Sequence, residues 1–86
     1  MITTALTFDE LSVLMKQAAG VTADPRELEK APDAPFSTIG LDSLGLLGIV
    51  GELENRYGVS LPTDAERCKT PGEFVGLVNK TLQTGV

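Results

Sequence analysis

Residues 42–58 read DSLGLLGIVGELENRYG, and this stretch decides the fold. When they are placed at about 100° per residue, one apolar arc covers roughly a third of the helix circumference. The side chains of this arc are Leu46, Ile49, Val50, Leu53 and Tyr57. Such an arc is typical of a helix that packs one face into a core. Because Gly58 suits the left-handed backbone that ends a helix, the stretch predicts a helix that begins at Asp42 or Ser43 and ends at Gly58.

Leu44 and Leu47 lie on a different side of this helix, grouped with Gly48, Gly51 and Asn55. Two interpretations are open: the leucines pack under the preceding loop as ordinary core, or they form an exposed apolar patch. Because Gly48 and Gly51 have no side chain to cover them, we expect the exposed patch. We therefore interpret Leu44 and Leu47 as partner-docking residues.

An earlier helix is marked by residues 7–10, which read TFDE and have the form of a capping box. In a capping box the Thr7 hydroxyl accepts from the amide of Glu10, and the Glu10 carboxylate accepts from the amide of Thr7. Apolar residues at helical spacing follow, and Gly20 can stop the helix. We therefore predict the first helix over residues 8–19.

The last helix is marked in the same way by residues 70–73, which read TPGE. Pro71 would occupy the first helical position, where a missing amide costs nothing. An apolar stripe then predicts a helix over residues 71–82, built around Phe74, Leu77, Val78 and Leu82. Between Gly58 and this helix, the acidic stretch 63–67 predicts a third, brief helix.

Residues 21–41 follow no helical or strand period, because they are interrupted by Pro25, Pro32 and Pro35. A connection of this length is unusual in a small domain unless it is functional or pinned. The candidate pins are Leu28, Phe36 and Ile39, and a short helical turn is expected over residues 26–30. The whole pattern predicts one all-α domain over residues 1–86, a four-helix bundle with three longer helices, one short helix and a long first loop.

The chain of 86 residues has 7 basic and 12 acidic side chains, a net charge of −5. This charge repels nucleic acid and anionic membrane surfaces, and it favours partners with basic surfaces. No apolar run approaches the roughly 20 residues that span a bilayer, and the first ten residues do not have the form of a signal peptide. Cys68 is the single cysteine, and there is no histidine to complete a metal site with it. We therefore expect a cytoplasmic monomer that binds neither nucleic acid, membrane nor metal.

Ser43 is the candidate functional residue, because residues 40–44 read GLDSL and lead from a glycine turn into the predicted helix. Free amides and the helix dipole at such a point favour an anionic group, for example a phosphate ester. A serine at a helix start is also a common N-cap. A serine hydrolase would need a base, but the chain has no histidine, and Leu41 breaks the G-x-S-x-G pattern. We therefore expect no catalysis.

The GLDSL stretch resembles the phosphopantetheine attachment motif of acyl carrier proteins, and the resemblance covers nearly the whole chain. Residues 56–62, RYGVSLP, and residues 77–79, LVN, are more similar to carriers of aromatic (type II) polyketide synthases than to those of fatty acid synthesis. The resemblance implies that Ser43 carries a covalent 4′-phosphopantetheine and that Asp42 is recognised by the modifying enzyme. It also implies that Asn79 lines the cleft for the acyl chain.

By the same resemblance, the function is to hold malonyl and growing polyketide intermediates as thioesters and to deliver them to synthase enzymes. The implied partners are a phosphopantetheinyl transferase, a malonyl transferase and the ketosynthase heterodimer, with ketoreductase and cyclases as further partners. Two alternatives stay open at this point: a carrier for fatty acid synthesis and an unmodified helical adaptor module.

Two features of the sequence bear on partner docking: its acidic residues and two positions at which it differs from the carriers that it resembles. The acidic residues around the second and third predicted helices are either a solvated face or docking residues for basic partners; they are Glu52, Glu54, Asp64 and Glu66. Carriers of this kind usually have an acidic residue where this chain has Gly48, and often a basic one where it has Gly72. The resemblance therefore does not extend to charge pairing at Gly48 or to contact with the acyl chain at Gly72.

Overall fold

Four α-helices and two 3₁₀ turns make up the computed structural model, which describes residues 5–84 of the chain. In chain order the α-helices are α1 (Phe8–Ala19), α2 (Pro25–Lys30), α3 (Ser43–Tyr57) and α4 (Pro71–Thr84). The first 3₁₀ turn (Phe36–Ile39) precedes α3, and the second 3₁₀ turn (Thr63–Arg67) follows it. No strand occurs within the described range. The predicted all-α bundle is confirmed: the brief helix predicted at 63–67 is the second 3₁₀ turn, and the helical turn expected at 26–30 is α2.

Helix α1 has the predicted bounds, but only half of the predicted capping box forms. The Thr7 hydroxyl accepts from the Glu10 amide at 3.1 Å, and Gly20 ends the helix with φ of 68°. The Glu10 carboxylate turns instead to α3, where the Tyr57 hydroxyl lies 2.6 Å and 2.7 Å from its two oxygens and donates to them. Arg56 forms an ion pair with the same carboxylate at 3.3 Å.

Helix α3 confirms the predicted core face. Its buried residues are Leu46, Ile49, Val50 and Leu53, and Tyr57 packs half-buried beside them. The helix ends at Gly58, whose φ is 65°. It runs antiparallel to α1, since a Cβ built on Gly45 at its start would meet Ala19 at the end of α1, whereas its last turn meets Glu10 near the start of α1.

Helix α4 begins at Pro71 as predicted and extends to Thr84, two residues past the predicted end at position 82. The Thr70 hydroxyl accepts from the Glu73 amide at 3.1 Å. The Glu73 carboxylate reaches one residue further back than a capping box requires and accepts from the Lys69 amide at 2.8 Å. Two members of the predicted stripe, Phe74 and Val78, are fully buried.

The long first loop is pinned at the predicted places. Leu28 and Phe36 are buried, and Ile39 is half-buried against the core. The Phe36 ring packs edge to face on Phe74, with ring centres 6.2 Å apart. Two backbone hydrogen bonds join the loop to the start of α4: the Phe36 amide donates to the carbonyl of Lys69 at 2.7 Å, and the Gly72 amide donates to the carbonyl of Pro32 at 2.9 Å.

The stretch 63–67 forms a 3₁₀ helix, not an α-helix. Its Ala65 amide donates to the Pro62 carbonyl three residues earlier, at 2.9 Å, which is the 3₁₀ spacing. Ala65 is fully buried and fixes the turn to the core. The turn and the segment after it bring Arg67, Cys68 and Lys69 towards the start of α3.

Candidate functional site at the start of helix α3

Ser43 is the first residue of α3, and its side chain is exposed. The chain reaches it through Gly40, which ends the first 3₁₀ turn with φ of 83°. Leu41 is buried, and its amide donates to the carbonyl of Phe36 at 3.1 Å. The approach to Ser43 is therefore anchored to the core, while the serine itself faces outward.

Asp42, not Ser43, is the N-cap of α3. Its carboxylate accepts from the amide of Gly45 at 2.8 Å, and its carbonyl accepts from the amide of Leu46 at 3.0 Å. The cap interpretation of Ser43 is therefore wrong. Within residues 5–84 the Ser43 hydroxyl forms no hydrogen bond with the protein, so it is available for a covalent bond.

A cavity of about 510 Å³ opens beside Ser43, between the first 3₁₀ turn, the start of α3, and the end of the second 3₁₀ turn with the segment after it. Its apolar wall is formed by Phe36, Leu41, Leu46 and Cys68, and its polar side by Asp42, Ser43, Glu66, Arg67 and Lys69. An apolar interior with a few polar groups at one side is typical of a ligand pocket. The sequence did not reveal this side of the site, because Arg67 and Lys69 lie where no helical period places them.

Cys68 is a structural residue of this cavity. Its side chain is buried, and its thiol donates to the carbonyl of Asp64 at 3.5 Å. Burial raises the pKa of the Cys68 thiol, and the carboxylates of Glu73 and Asp64 raise it further. A thiol that resists deprotonation is a poor nucleophile, as expected for a chain with no histidine to activate it.

The predicted docking residues fall into two groups in the structure. Leu44 is 74% exposed and Leu47 is 46% exposed, which confirms that they form an apolar patch outside the core. Gly48, predicted to lie beside them, packs on α1, where an added Cβ would lie 3.3 Å from the carbonyl oxygen of Ala18.

The acidic candidates differ in what they contact. The Glu54 carboxylate accepts from the amide of Leu61 at 2.8 Å and so holds the segment that follows α3. Glu66 is half-buried at the cavity, Glu52 is half-buried on α3, and Asp64 is exposed. Glu54 therefore has a structural role that its charge alone did not indicate.

Asn79 and Gly72 lie away from the lining of this cavity. The Asn79 amide group accepts from the amide of Leu6 and donates to the carbonyl of Leu6 at 3.1 Å, so it joins α4 to the segment before α1. Gly72 lies against the loop, where an added Cβ would come within 2.9 Å of Pro32 Cβ. The structure thus gives a packing reason for a residue without a side chain at position 72.

The residues around Ser43 fit a phosphopantetheine group. The Ser43 hydroxyl is exposed, and the first amides of α3 have no acceptor within the helix and can face a phosphate. The cavity next to it offers apolar surface to the rest of the arm. In the part of the chain that the structure describes, no cluster of three or more potential ligands could hold a metal ion, and no helix has the length and apolar character of a membrane span.

Comparison with known proteins decides the family. Residues 9–78 match the family model described as the phosphopantetheine attachment site. The chain is an acyl carrier protein. Its cofactor is a covalent 4′-phosphopantetheine, and it is a carrier and not a catalyst.

The similar proteins narrow the family to carriers of type II polyketide synthases. The carrier is 62% identical over 81 residues to a probable acyl carrier protein of Streptomyces coelicolor, with 94% of this chain and 90% of the relative covered. It is 55% identical over 82 residues to the curamycin polyketide synthase acyl carrier protein of Streptomyces cyaneus, with 95% and 93% covered. As such a carrier, it works with polyketide synthase enzymes.

Solved structures agree with this assignment. The acyl carrier protein of the Streptomyces coelicolor actinorhodin polyketide synthase, bearing a 3,5-dioxohexyl triketide mimic, has a TM-score of 0.79 at 38% identity, with 99% of this chain and 100% of that chain covered. The apo form of the actinorhodin carrier has a TM-score of 0.78 at 39% identity, with 96% and 98% covered.

Proposed function

We propose that Ser43 bears the 4′-phosphopantetheine arm and that the carrier holds malonyl and growing polyketide chains on it for a type II polyketide synthase, in the cytoplasm. One observation supports Ser43 above all others. It is an exposed hydroxyl with no hydrogen bond to the described protein, at the start of a helix that its neighbour Asp42 already caps. When bound, the arm supplies a terminal thiol that carries acyl groups as thioesters.

The protein's own residues then have distinct tasks. Ser43 fixes the position of the arm on a rigid helix, and a tether on a fixed point raises the effective concentration of its cargo at each partner. Asp42 keeps the helix start in place and is the acidic group that the transferase recognises. A separate phosphopantetheinyl transferase, which uses coenzyme A and normally a magnesium ion, attaches the arm.

Docking is proposed for the outer face of α3 and the acidic groups near it. Leu44 and Leu47 offer apolar contact, while Glu52, Asp64 and Glu66 offer charge to basic surfaces. The partners are a malonyl transferase and the ketosynthase heterodimer, with ketoreductase and cyclases acting on later intermediates. Glu54 belongs to the same proposed docking set, and one of its two carboxylate oxygens accepts from the Leu61 amide.

The cavity beside Ser43 is the proposed place for the arm, because its wall is largely apolar. Asn79, predicted to lie along the chain-binding cleft, holds the Leu6 backbone with both ends of its amide group. These bonds use one lone pair of the Asn79 oxygen and one hydrogen of its NH₂ group, so one acceptor site and one N–H remain for the acyl chain.

The Ser43 assignment is tested by intact-mass analysis after coexpression with a phosphopantetheinyl transferase. Wild type is expected to gain the mass of one arm, and Ser43→Ala to gain none. Ser37→Ala is the matched control, because Ser37 is also exposed and lines the same cavity; it should be modified like wild type. If Ser43→Ala still gains an arm, the attachment site is another residue. If wild type gains none, the helical adaptor is favoured.

A further inference from the structure

Two basic side chains, Arg67 and Lys69, lie on the cavity beside Ser43. The chain has 7 lysines and arginines, and these two are the ones that line this cavity. Within residues 5–84 neither side chain forms an ion pair or a hydrogen bond. Arg56, by contrast, is paired with Glu10 at the other end of α3. Two cations without a protein partner therefore share a cavity with the candidate attachment serine.

Backbone hydrogen bonds fix the segment that carries these two exposed side chains. The Lys69 amide donates to the Glu73 carboxylate at 2.8 Å, and the Lys69 carbonyl accepts from the amide of Phe36 at 2.7 Å. Cys68 lies between them with extended backbone, φ −61° and ψ 136°, and its side chain is buried. Arg67 and Lys69 flank this buried residue, and both line the cavity beside Ser43.

The charges near Ser43 would repel an anion attached there unless cations lie close to it. Asp42 and Glu66 already line the cavity with negative charge. A phosphodiester on Ser43 adds a further negative charge directly beside Asp42, and like charges at short range repel. The Asp42 carboxylate accepts from Gly45, which uses one helix amide that would otherwise face the phosphate.

We propose that Arg67 and Lys69 bind the phosphodiester of the arm and hold the first part of the arm against the end of the second 3₁₀ turn and the segment after it. The guanidinium of Arg67 matches phosphate oxygens in a two-point contact, and the Lys69 ammonium adds a mobile positive charge. The proposal rests on the proposed function, because it needs the arm on Ser43. It assigns positioning residues for the arm itself, before any acyl group is loaded.

Phosphorus NMR of the purified holo protein, with no acyl group, tests this contact. We expect the phosphodiester resonance of wild type to be broader and displaced from that of the R67Q/K69Q double variant, in which the phosphate moves more freely. The matched control is R26Q/K30Q, two basic residues of α2 that do not line this cavity; its resonance should coincide with that of wild type. Raising the salt concentration should move wild type towards the double variant, because exposed charge contacts are screened.

A second measurement compares melting temperatures of the apo and holo forms of each protein at low salt. Losing both cations should make the holo-minus-apo difference more negative than in wild type by about 2 to 5 °C, the size expected for exposed ion pairs in a chain of this length. A merely structural role would lower the apo and holo melting temperatures equally.

The outcomes separate the two proposals. A chain that takes up no arm on Ser43 would overturn both the proposed function and this contact. A fully modified chain whose phosphorus signal and holo-minus-apo difference are the same in wild type and R67Q/K69Q would overturn the contact alone. If the phosphodiester resonance of R26Q/K30Q also shifted to that of R67Q/K69Q, the effect would be one of general charge, and this too would overturn the contact.

Discussion

Among single residues, Tyr57 and Glu10 form the polar contact that the sequence hid most completely. Both looked local: Glu10 as half of a capping box, Tyr57 as the last member of an apolar arc. In the fold they meet across 47 positions of sequence, and burial, then the hydrogen bond and charge of Glu10, raise the pKa of Tyr57 to about 12. A local pattern cannot reveal such a bond, because the capping-box pattern already accounts for Glu10 and the apolar arc already accounts for Tyr57.

This pKa predicts how stability depends on pH. The folded-state pKa of about 12 lies above the ordinary tyrosine value of about 10, so the native state holds the proton more tightly than the unfolded state. The Tyr57 contribution is therefore fully present below pH 10 and is lost as the pH rises towards 12. Wild type should lose more stability over that range than Tyr57→Phe, measured by denaturant unfolding at each pH.

The phenylalanine variant also has an expected cost at neutral pH. It should be less stable than wild type by about 1 kcal/mol, because it removes a hydrogen bond to a carboxylate that Arg56 only partly replaces. Since Tyr57 is the chain's single tyrosine, absorbance of its ionised ring follows its titration directly. Parallel loss of stability in both proteins between pH 10 and 12 would contradict the assigned role.

At the scale of elements, α3 was the most predictable part of the molecule. Its start, its end at Gly58 and its buried face follow from the 3.6-residue period and one glycine. What the period could not show is which terminal residue caps it: Asp42 and Ser43 both suit that position, and the hydrogen bond to Gly45 decides for Asp42. The first 3₁₀ turn was missed because four residues are too few to show any period.

Two neighbouring leucines of α3 test the separation of core and docking faces. Leu46 is 2% exposed and Leu47 is 46% exposed. Leu46→Ala should cost about 2 to 5 kcal/mol of unfolding free energy, as buried leucine truncations do, whereas Leu47→Ala should cost well under that. Urea unfolding of both variants measures the difference.

Leu47→Ala also tests docking when it is assayed with the ketosynthase under conditions where it remains folded. Leu47→Ala should slow acyl transfer by about fivefold or more, the effect of losing an interface residue worth about 1 kcal/mol. Leu46 lines the cavity beside Ser43, so the core control for transfer is Ile49→Ala, which is buried outside that cavity and should transfer normally while folded. Wild-type transfer by Leu47→Ala would remove the docking role and leave the helix register intact.

At the scale of the whole molecule, the long first loop depends on contacts that composition alone could not locate. Leu28 and Phe36 were recognisable as pins because a loop of this length needs apolar anchors. The partners of the loop backbone were not recognisable, since Gly72 and Lys69 lie more than thirty positions away in sequence. The cavity beside Ser43 could not be located from the sequence either, because residues of three separate segments line it.

Close packing of the loop on α4 predicts opposite effects for two glycines of one helix. Gly72→Ala should destabilise by about 1 to 3 kcal/mol, because the new Cβ would lie 2.9 Å from Pro32 Cβ and 3.1 Å from its carbonyl oxygen. Gly76→Ala is the matched control: a Cβ there meets nothing within 4 Å, so it should stabilise by up to about 1 kcal/mol through helix propensity. Thermal unfolding compares them, and a stabilised Gly72→Ala would show that the loop can withdraw from α4.

The position of Tyr57 in the last turn of α3 also makes its fluorescence an intrinsic probe of unfolding. The chain contains no tryptophan and one tyrosine, and that ring lies fourteen residues after Ser43, roughly 21 Å along the helix axis at 1.5 Å per residue. Its emission should therefore change when α1 and α3 come apart but should not change with the cargo on Ser43. The unfolding of the apo, holo and acylated forms can therefore be measured with the same intrinsic signal, without a dye on the surface that partners use.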